Sequence, residues 1–329
     1  MISSNRQHTL AADLEFEGIG LHTGKQAQLR ILPGEANTGY VFVRKDLEGA
    51  PSIEGHVSNV GETLRGTTLQ SGDVSVHTTE HVLAALYASG IDNAVLELNG
   101  PEVPILDGSA LPFVSQIEEA GTTEQEADRR FFKVRKNISY RGEDGVEMLV
   151  VPLEEDEFKV TVMVDYNSPV LGTQHARMEN LGAFKADIAG CRTFVFLKEV
   201  ASLAEQGLIQ GGDIDNAVVL AERAYSEAEM KDIAQALGRD TLSGAAARPG
   251  VVNPSDLRFP NEPARHKLLD IVGDLALTGR FIQGHVLAAR PGHSANVAFA
   301  KELAKVIRAQ EDLPDFRTDR ESLMDINDI

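Results

Sequence analysis

Residues 27–32 alternate apolar and polar side chains, and 40–43 are β-branched and aromatic. Both predict strands, joined by a turn around Gly34 and Asn37. A third strand is expected at 94–98. Between them, the apolar run after Thr78 and Thr79 fits a buried helical face, with either threonine as N-cap and Gly90 as the stop. Residues 111–120 have helical spacing, and 121–130 are polar and charged enough to mark a boundary. Beyond it, 131–140, 147–151 and 159–165 read as strands, 197–206 and 261–277 as helices, 286–289 as a short strand and 295–308 as a helix. Strands followed by helices in each half imply an α+β layered architecture. The expected division is 1–125, 131–310, and a linker or tail over 311–329. No sequence repeat relates the two halves.

Within the expected helix 261–277, His266, Asp270 and Asp274 are four residues apart and share one face. An imidazole and a carboxylate one turn apart can share a metal ion, and zinc accepts both. A catalytic zinc usually takes three protein ligands and leaves a fourth position open. The best third candidate is His81, in the first turn of the helix after Thr79, with Glu80 beside it as a carboxylate able to accept a proton. The competing reading of this pair is a solvated glutamate next to a capping or core histidine. No His-Glu-x-x-His pattern is present, so the common metalloprotease signature is absent.

A chain of 329 residues can bury a substantial core. A net charge of -19 argues against nucleic acid as a partner and offers no general attraction to an anionic ligand. Any such attraction must come from a local basic patch. Cys191 is the single cysteine, so no internal disulfide can form. No apolar run approaches the roughly 20 residues needed to span a bilayer, and residues 1–10 lack a signal-peptide core. A soluble, cytoplasmic protein without a transmembrane segment is expected.

Four further blocks accompany the histidines. They are Gly18-Ile19-Gly20-Leu21-His22-Thr23-Gly24-Lys25, the run from Pro101 through Asp107-Gly108-Ser109-Ala110, Cys191-Arg192-Thr193-Phe194 leading to Gly211-Gly212, and Arg290-Pro291-Gly292-His293. Together with the Glu80-His81 and His266-to-Asp274 segments they closely resemble the UDP-3-O-acyl-N-acetylglucosamine deacetylase family, the zinc amidohydrolases of lipid A biosynthesis. The resemblance runs over 18–303. It implies two similarly folded domains in a layered β-α-α-β sandwich with the active site between them. It implies Zn2+ held by His81, His266 and Asp270, and Glu80 as general base toward the attacking water. It further implies His293 as the cationic partner of the oxyanion or leaving amine, Asp274 orienting His293, and Thr193 donating to the oxyanion. From the residues alone, Thr193 would be a strand residue and Asp274 part of a solvated face.

The resemblance also implies a UDP-3-O-acyl-N-acetylglucosamine substrate. Lys267 is similar to a lysine near its diphosphate, and Arg290 stands where relatives carry a cation; each could instead be an exposed surface charge. Phe194 either stacks under the sugar or fills core. Phe196, Leu197, Gly211, Gly212, Ala217 and Val219 match an insert that walls an acyl-chain passage, with Leu64 and the loop 64–68 opposite. The stretch 223–257 is longer than compact members require and is expected to form an exposed loop or short helix. Residues 324–329 resemble the opening of a 3-hydroxyacyl-[acyl carrier protein] dehydratase, which implies a natural fusion. The alternative function is a non-catalytic, metal-stabilised module that binds a nucleotide sugar or acyl carrier protein.

Overall fold

The computed structural model describes residues 4–143, 145–236, 248–253 and 255–311. Two sheets enclose a layer of helices. In the first sheet the strand order is Leu14–Ile19, Gln26–Pro33, Ala94–Leu98, Tyr40–Arg44, Ser52–Glu54. In the second it is Ile138–Arg141, Glu147–Val151, Phe281–Ala289, Phe158–Asp165, Thr173–Met178. In each sheet the last strand in sequence lies at the centre. It pairs antiparallel with the second strand and parallel with the third. The two halves therefore share one topology that their sequences do not reveal.

The strand periodicity has a physical counterpart. Ala27, Leu29 and Ile31 are buried while Gln28 and Arg30 are exposed, and Phe158, Val160, Val162 and Val164 repeat the pattern in the second sheet. Each sheet thus covers one face with helices. The helices are α1 (Glu80–Ala88), α2 (Leu111–Ala120), α3 (Phe184–Asp187), α4 (Leu197–Glu205), α5 (Glu227–Ala236), α6 (Glu262–Ala276) and α7 (His293–Glu311). α1 packs on α6 and α2, while α6 also meets α7 and the strands Phe158–Asp165 and Thr173–Met178. One continuous apolar core spans both halves. Among the described residues, no helix is long and apolar enough to cross a membrane.

Several expected elements have different limits. The polar boundary 121–130 contains the strand Thr122–Asp128, paired antiparallel with Arg6–Leu10. That partner is over a hundred positions away, so local pattern could not reveal it. The expected strand 131–140 is two strands. Phe131–Lys133 pairs with the start of Phe281–Ala289, then yields that edge to Glu147–Val151, and Ile138–Arg141 pairs on the outer side of the latter. The strand at 286–289 begins at Phe281, because Gln283, Gly284 and His285 mask an apolar run whose inward residues are buried. Thr78 and Thr79 do not cap α1 with their side chains. Thr79 Oγ1 donates to the Thr67 carbonyl at 3.0 Å, and Thr78 Oγ1 to Glu102 Oε1 at 2.8 Å. The expected tail from 312 onward and residues 237–247 lie outside the described residues.

Candidate metal centre

The crossing of α1 and α6 brings the two halves' chemistry together. A Cβ on Gly273 would sit 2.1 Å from the Glu80 carbonyl oxygen, so the helix backbones touch there. Only a residue without a side chain permits that approach. It sets the first turn of α1, carrying Glu80 and His81, against the middle of α6, carrying His266, Asp270 and Asp274. All five side chains are buried. The solvated readings of Glu80 and Asp274 are therefore excluded.

Ligand atoms of His81, His266 and Asp270 all lie within 4.8 Å of one another. The two imidazoles meet edge to face with centroids 5.1 Å apart. His266 Nδ1 lies 2.9 Å from the Cys191 carbonyl oxygen; donating its proton there leaves Nε2 with a free lone pair, 3.4 Å from Asp270 Oδ1. Asp270 Oδ1 is buried without a hydrogen-bond partner. An unpaired buried carboxylate oxygen is costly, and a cation is the usual remedy. Two neutral nitrogens and this oxygen fit a divalent metal. Burial, reinforced by His266, holds His81 down to about 3, and burial lowers His266 as well, so both rings keep lone pairs available. Burial alone would raise Asp270, but Lys267, His266 and His293 outweigh it and hold its carboxyl well below the usual range.

Glu80 and His293 flank this cluster. Glu80 Oε2 accepts from the Thr67 backbone N–H at 2.9 Å, and its Oε1 lies 3.9 Å from His293 Nε2. His293 begins α7, and its Nε2 is also 3.6 Å from Asp270 Oδ2. On the other ring nitrogen, Nδ1 is 3.1 Å from Asp274 Oδ2. Asp274 accepts further bonds from the Thr67 hydroxyl and, at 2.9 Å, from Asn296 Nδ2. Burial lifts the Glu80 carboxyl to about 7, with Asp274 and Asp270 adding to it against His293. For His293 burial works downward, but Asp270, Asp274 and Glu80 together raise it to about 9. Thr67 and Asn296 were not singled out from sequence. The spacing of His293 and Asn296 on one helix face was the available signal for the second; Thr67 carried none.

A polar cleft opens over the cluster and is lined by Glu80, His81, His266, Lys267, Arg290 and His293 together with Thr193, Phe194, Phe196, Arg65 and Arg141. It holds the local cations that the overall charge required. Lys267 is not a free surface charge: its Nζ donates to Asp270 Oδ2 at 2.7 Å and sits 5.5 Å from the Phe194 ring centroid. Arg290 is exposed and donates to Asp165 Oδ2 at 2.8 Å. Thr193 is half-buried, its N–H donating to the Gly108 carbonyl at 2.8 Å.

Beside the cleft lies an apolar cavity lined by Leu197, Val200, Leu203, Ile209, Gly212, Ala217 and Val219. Its base is a small sheet of Phe194–Phe196, Val218–Ala221 and Gly250–Val251. Three residues expected on its wall are elsewhere. Leu64 is 60% exposed and does not line it; Arg65 does. Phe196 is packed in a separate cluster with Leu171, Val218 and Leu220 and borders the cleft instead. Gly211 lies against Gly20, where a Cβ would come within 2.2 Å of the Gly20 carbonyl oxygen. The described part of 223–257 includes a short helix, one of the two forms expected there. It contains α5 and the strand Gly250–Val251, with Met230 and Val252 on the cavity wall.

The sequence model of UDP-3-O-acyl N-acetylglycosamine deacetylase matches residues 7–235 and 243–305. Within the stretch 223–257, residues 236–242 fall outside the match. A protein from Chlorobaculum tepidum named bifunctional enzyme LpxC/FabZ is 46% identical over 301 residues, covering 91% of this chain and 64% of that protein. One of the same name from Bacteroides thetaiotaomicron is 44% identical over 326 residues, 98% of this chain and 70% of its own length. The UDP-3-O-acyl-N-acetylglucosamine deacetylase of Citrifermentans bemidjiense is 41% identical over 300 residues, with 91% and 89% covered. The chain thus spans just under two thirds of the first bifunctional relative and most of the single-function one. With nearly its whole described length matched, the chain belongs to the UDP-3-O-acyl N-acetylglycosamine deacetylase family.

Proposed function

We propose that this protein removes the N-acetyl group of UDP-3-O-(3-hydroxyacyl)-N-acetylglucosamine, releasing acetate and leaving a free amine, the committed step of lipid A biosynthesis. The observation that carries the reading is the buried His81–His266–Asp270 cluster, with one carboxylate oxygen unpartnered and with Glu80 and His293 alongside. These three residues would hold zinc. Bound there, the ion supplies Lewis acidity and makes water a stronger acid. Glu80 accepts the proton of the attacking water; a carboxyl lifted to about 7 is matched to that task near neutral pH. His293, raised to about 9, carries a proton on Nε2 while Asp274 holds Nδ1. It stabilises the oxyanion and then protonates the departing amine. The Thr193 hydroxyl donates to the same oxyanion.

Lys267 and Arg290 face the nucleotide diphosphate, Phe194 takes the sugar ring, and the apolar cavity takes the 3-hydroxyacyl chain. The halves 1–125 and 131–310 act as two domains, the first contributing Glu80 and His81 and the second the remainder. The substrate is a cytoplasmic nucleotide sugar, so the protein works in the cytoplasm. The names of the two bifunctional relatives support the expectation of a second, fused activity.

Incubating the purified protein with this substrate, with and without a chelator, tests the reading. Acetate release that the chelator abolishes and zinc restores is the expected result. Tight substrate binding without turnover by the zinc-loaded protein would replace it with the binding-module reading.

A further inference from the structure

Met230 and Val252 line the apolar cavity but not the polar cleft. The two spaces share Leu21, Arg65, Thr193 and Phe194 as lining, so they adjoin at these residues. A chain anchored at the metal centre can pass from one into the other past Phe194, toward walls contributed from beyond residue 223.

Those walls are held in place. α5 begins with a reciprocal capping box: Ser226 N–H donates to Glu229 Oε2 at 2.8 Å, and Glu229 N–H to Ser226 Oγ at 3.3 Å. Ile233, one turn beyond Met230, is buried in a cluster with Leu197, Val200, Tyr225 and Val252, and Met230 packs against that cluster. Val252 N–H donates to the Val219 carbonyl at 2.9 Å. The following side chain, Asn253, donates to the Ile214 and Ala217 carbonyls at 2.6 and 2.7 Å and accepts from Val219 N–H at 2.7 Å. A backbone bonded this densely does not move aside for a ligand. The adjustable part is Met230, half-buried, unbranched and flexible.

We infer that Met230, backed by Val252, sets which acyl-chain length the enzyme accepts by limiting how many methylenes the cavity takes up. This rests on the deacetylase reading above. An apolar wall selects by volume, and each methylene withdrawn from water changes the transition-state affinity about fourfold.

The test measures kcat/KM for a series of UDP-3-O-acyl-N-acetylglucosamines whose acyl chains grow by two methylenes per step. The ratio between successive chain lengths does not depend on how much of a preparation is folded. Met230→Ala is expected to shift the optimum to longer chains, changing that ratio by about fifteenfold for one step. Met230→Trp is expected to shift it to shorter chains, and Val252→Ala in the same direction as Met230→Ala but less. An unchanged length profile in Met230→Ala, beside an active wild type, overturns the inference even if Met230→Trp does not fold. If the wild type deacetylates no member of the series, the functional reading itself fails and the inference falls with it.

Discussion

Around Asp270 and His293, side chains are positioned by directed hydrogen bonds that leave one Asp270 oxygen unpartnered, whereas Val200, Leu203 and Val219 wall the neighbouring cavity by shape alone. The first region depends on direction. Asp274 accepts from Thr67, Asn296 and His293 together, and shifting any of them strands a buried polar atom. The second depends on volume, and apolar contact is non-directional. Substitutions should therefore act as a switch in one region and as a dial in the other.

Asp270→Ala should show the largest effect. It removes the unpartnered oxygen and leaves the half-buried Lys267 without its carboxylate, so bound metal and activity are both expected to vanish; stoichiometric zinc by elemental analysis in that variant would contradict the ligand set. Glu80→Gln keeps the shape and removes the proton acceptor. Turnover should fall by about 10²–10⁴-fold with metal content unchanged, and wild-type rates would refute the assignment.

The pH profile of kcat/KM sharpens the same side of the comparison. In the proposed mechanism, Glu80 protonated below about 7 would not accept, and His293 deprotonated above about 9 would not donate. A bell-shaped profile with limbs near these values is expected, and its alkaline limb should disappear in His293→Gln. Gly273→Ala tests the helix crossing. The added methyl meets the Glu80 carbonyl, so destabilisation of about 1–3 kcal/mol in denaturant unfolding is expected, with impaired metal binding. A variant as stable as wild type would show that α1 and α6 can separate without cost. The smallest effect belongs to the cavity: Val200→Ala should lower kcat/KM by at most about fifteenfold and leave metal content intact. A loss as complete as that of Asp270→Ala would erase the distinction between the two regions.

Much of the metal centre was legible because helix geometry is local. The four-residue spacing of His266, Asp270 and Asp274 places them on one face wherever the helix ends up. The Thr79–Gly90 segment marked α1, although its threonines bond to Thr67 and Glu102 and do not cap. Thr67 carries no sequence signal because Glu80, Asp274 and His293, which it bonds in the site, are drawn from three separate elements. The family resemblance puts Leu64 and the loop 64–68 opposite the cavity wall, and of these Arg65, in a left-handed conformation at φ 63, lines the cavity while Leu64 does not. The ribbon of Arg6–Leu10 with Thr122–Asp128 escaped notice because long-range pairing satisfies its backbone without any apolar periodicity.

By itself the sequence determined the element types, the two-part α+β plan, the residues able to hold a metal and the family, since periodicity and ordered motifs reside in the chain. Only the tertiary structure decided that both sheets share one strand order, that Gly273 lets α1 and α6 touch, that Asp270 keeps an oxygen unpaired, and that residues beyond 223 wall the cavity. Each of these depends on contacts between segments far apart in sequence, and such contacts follow from packing the whole chain.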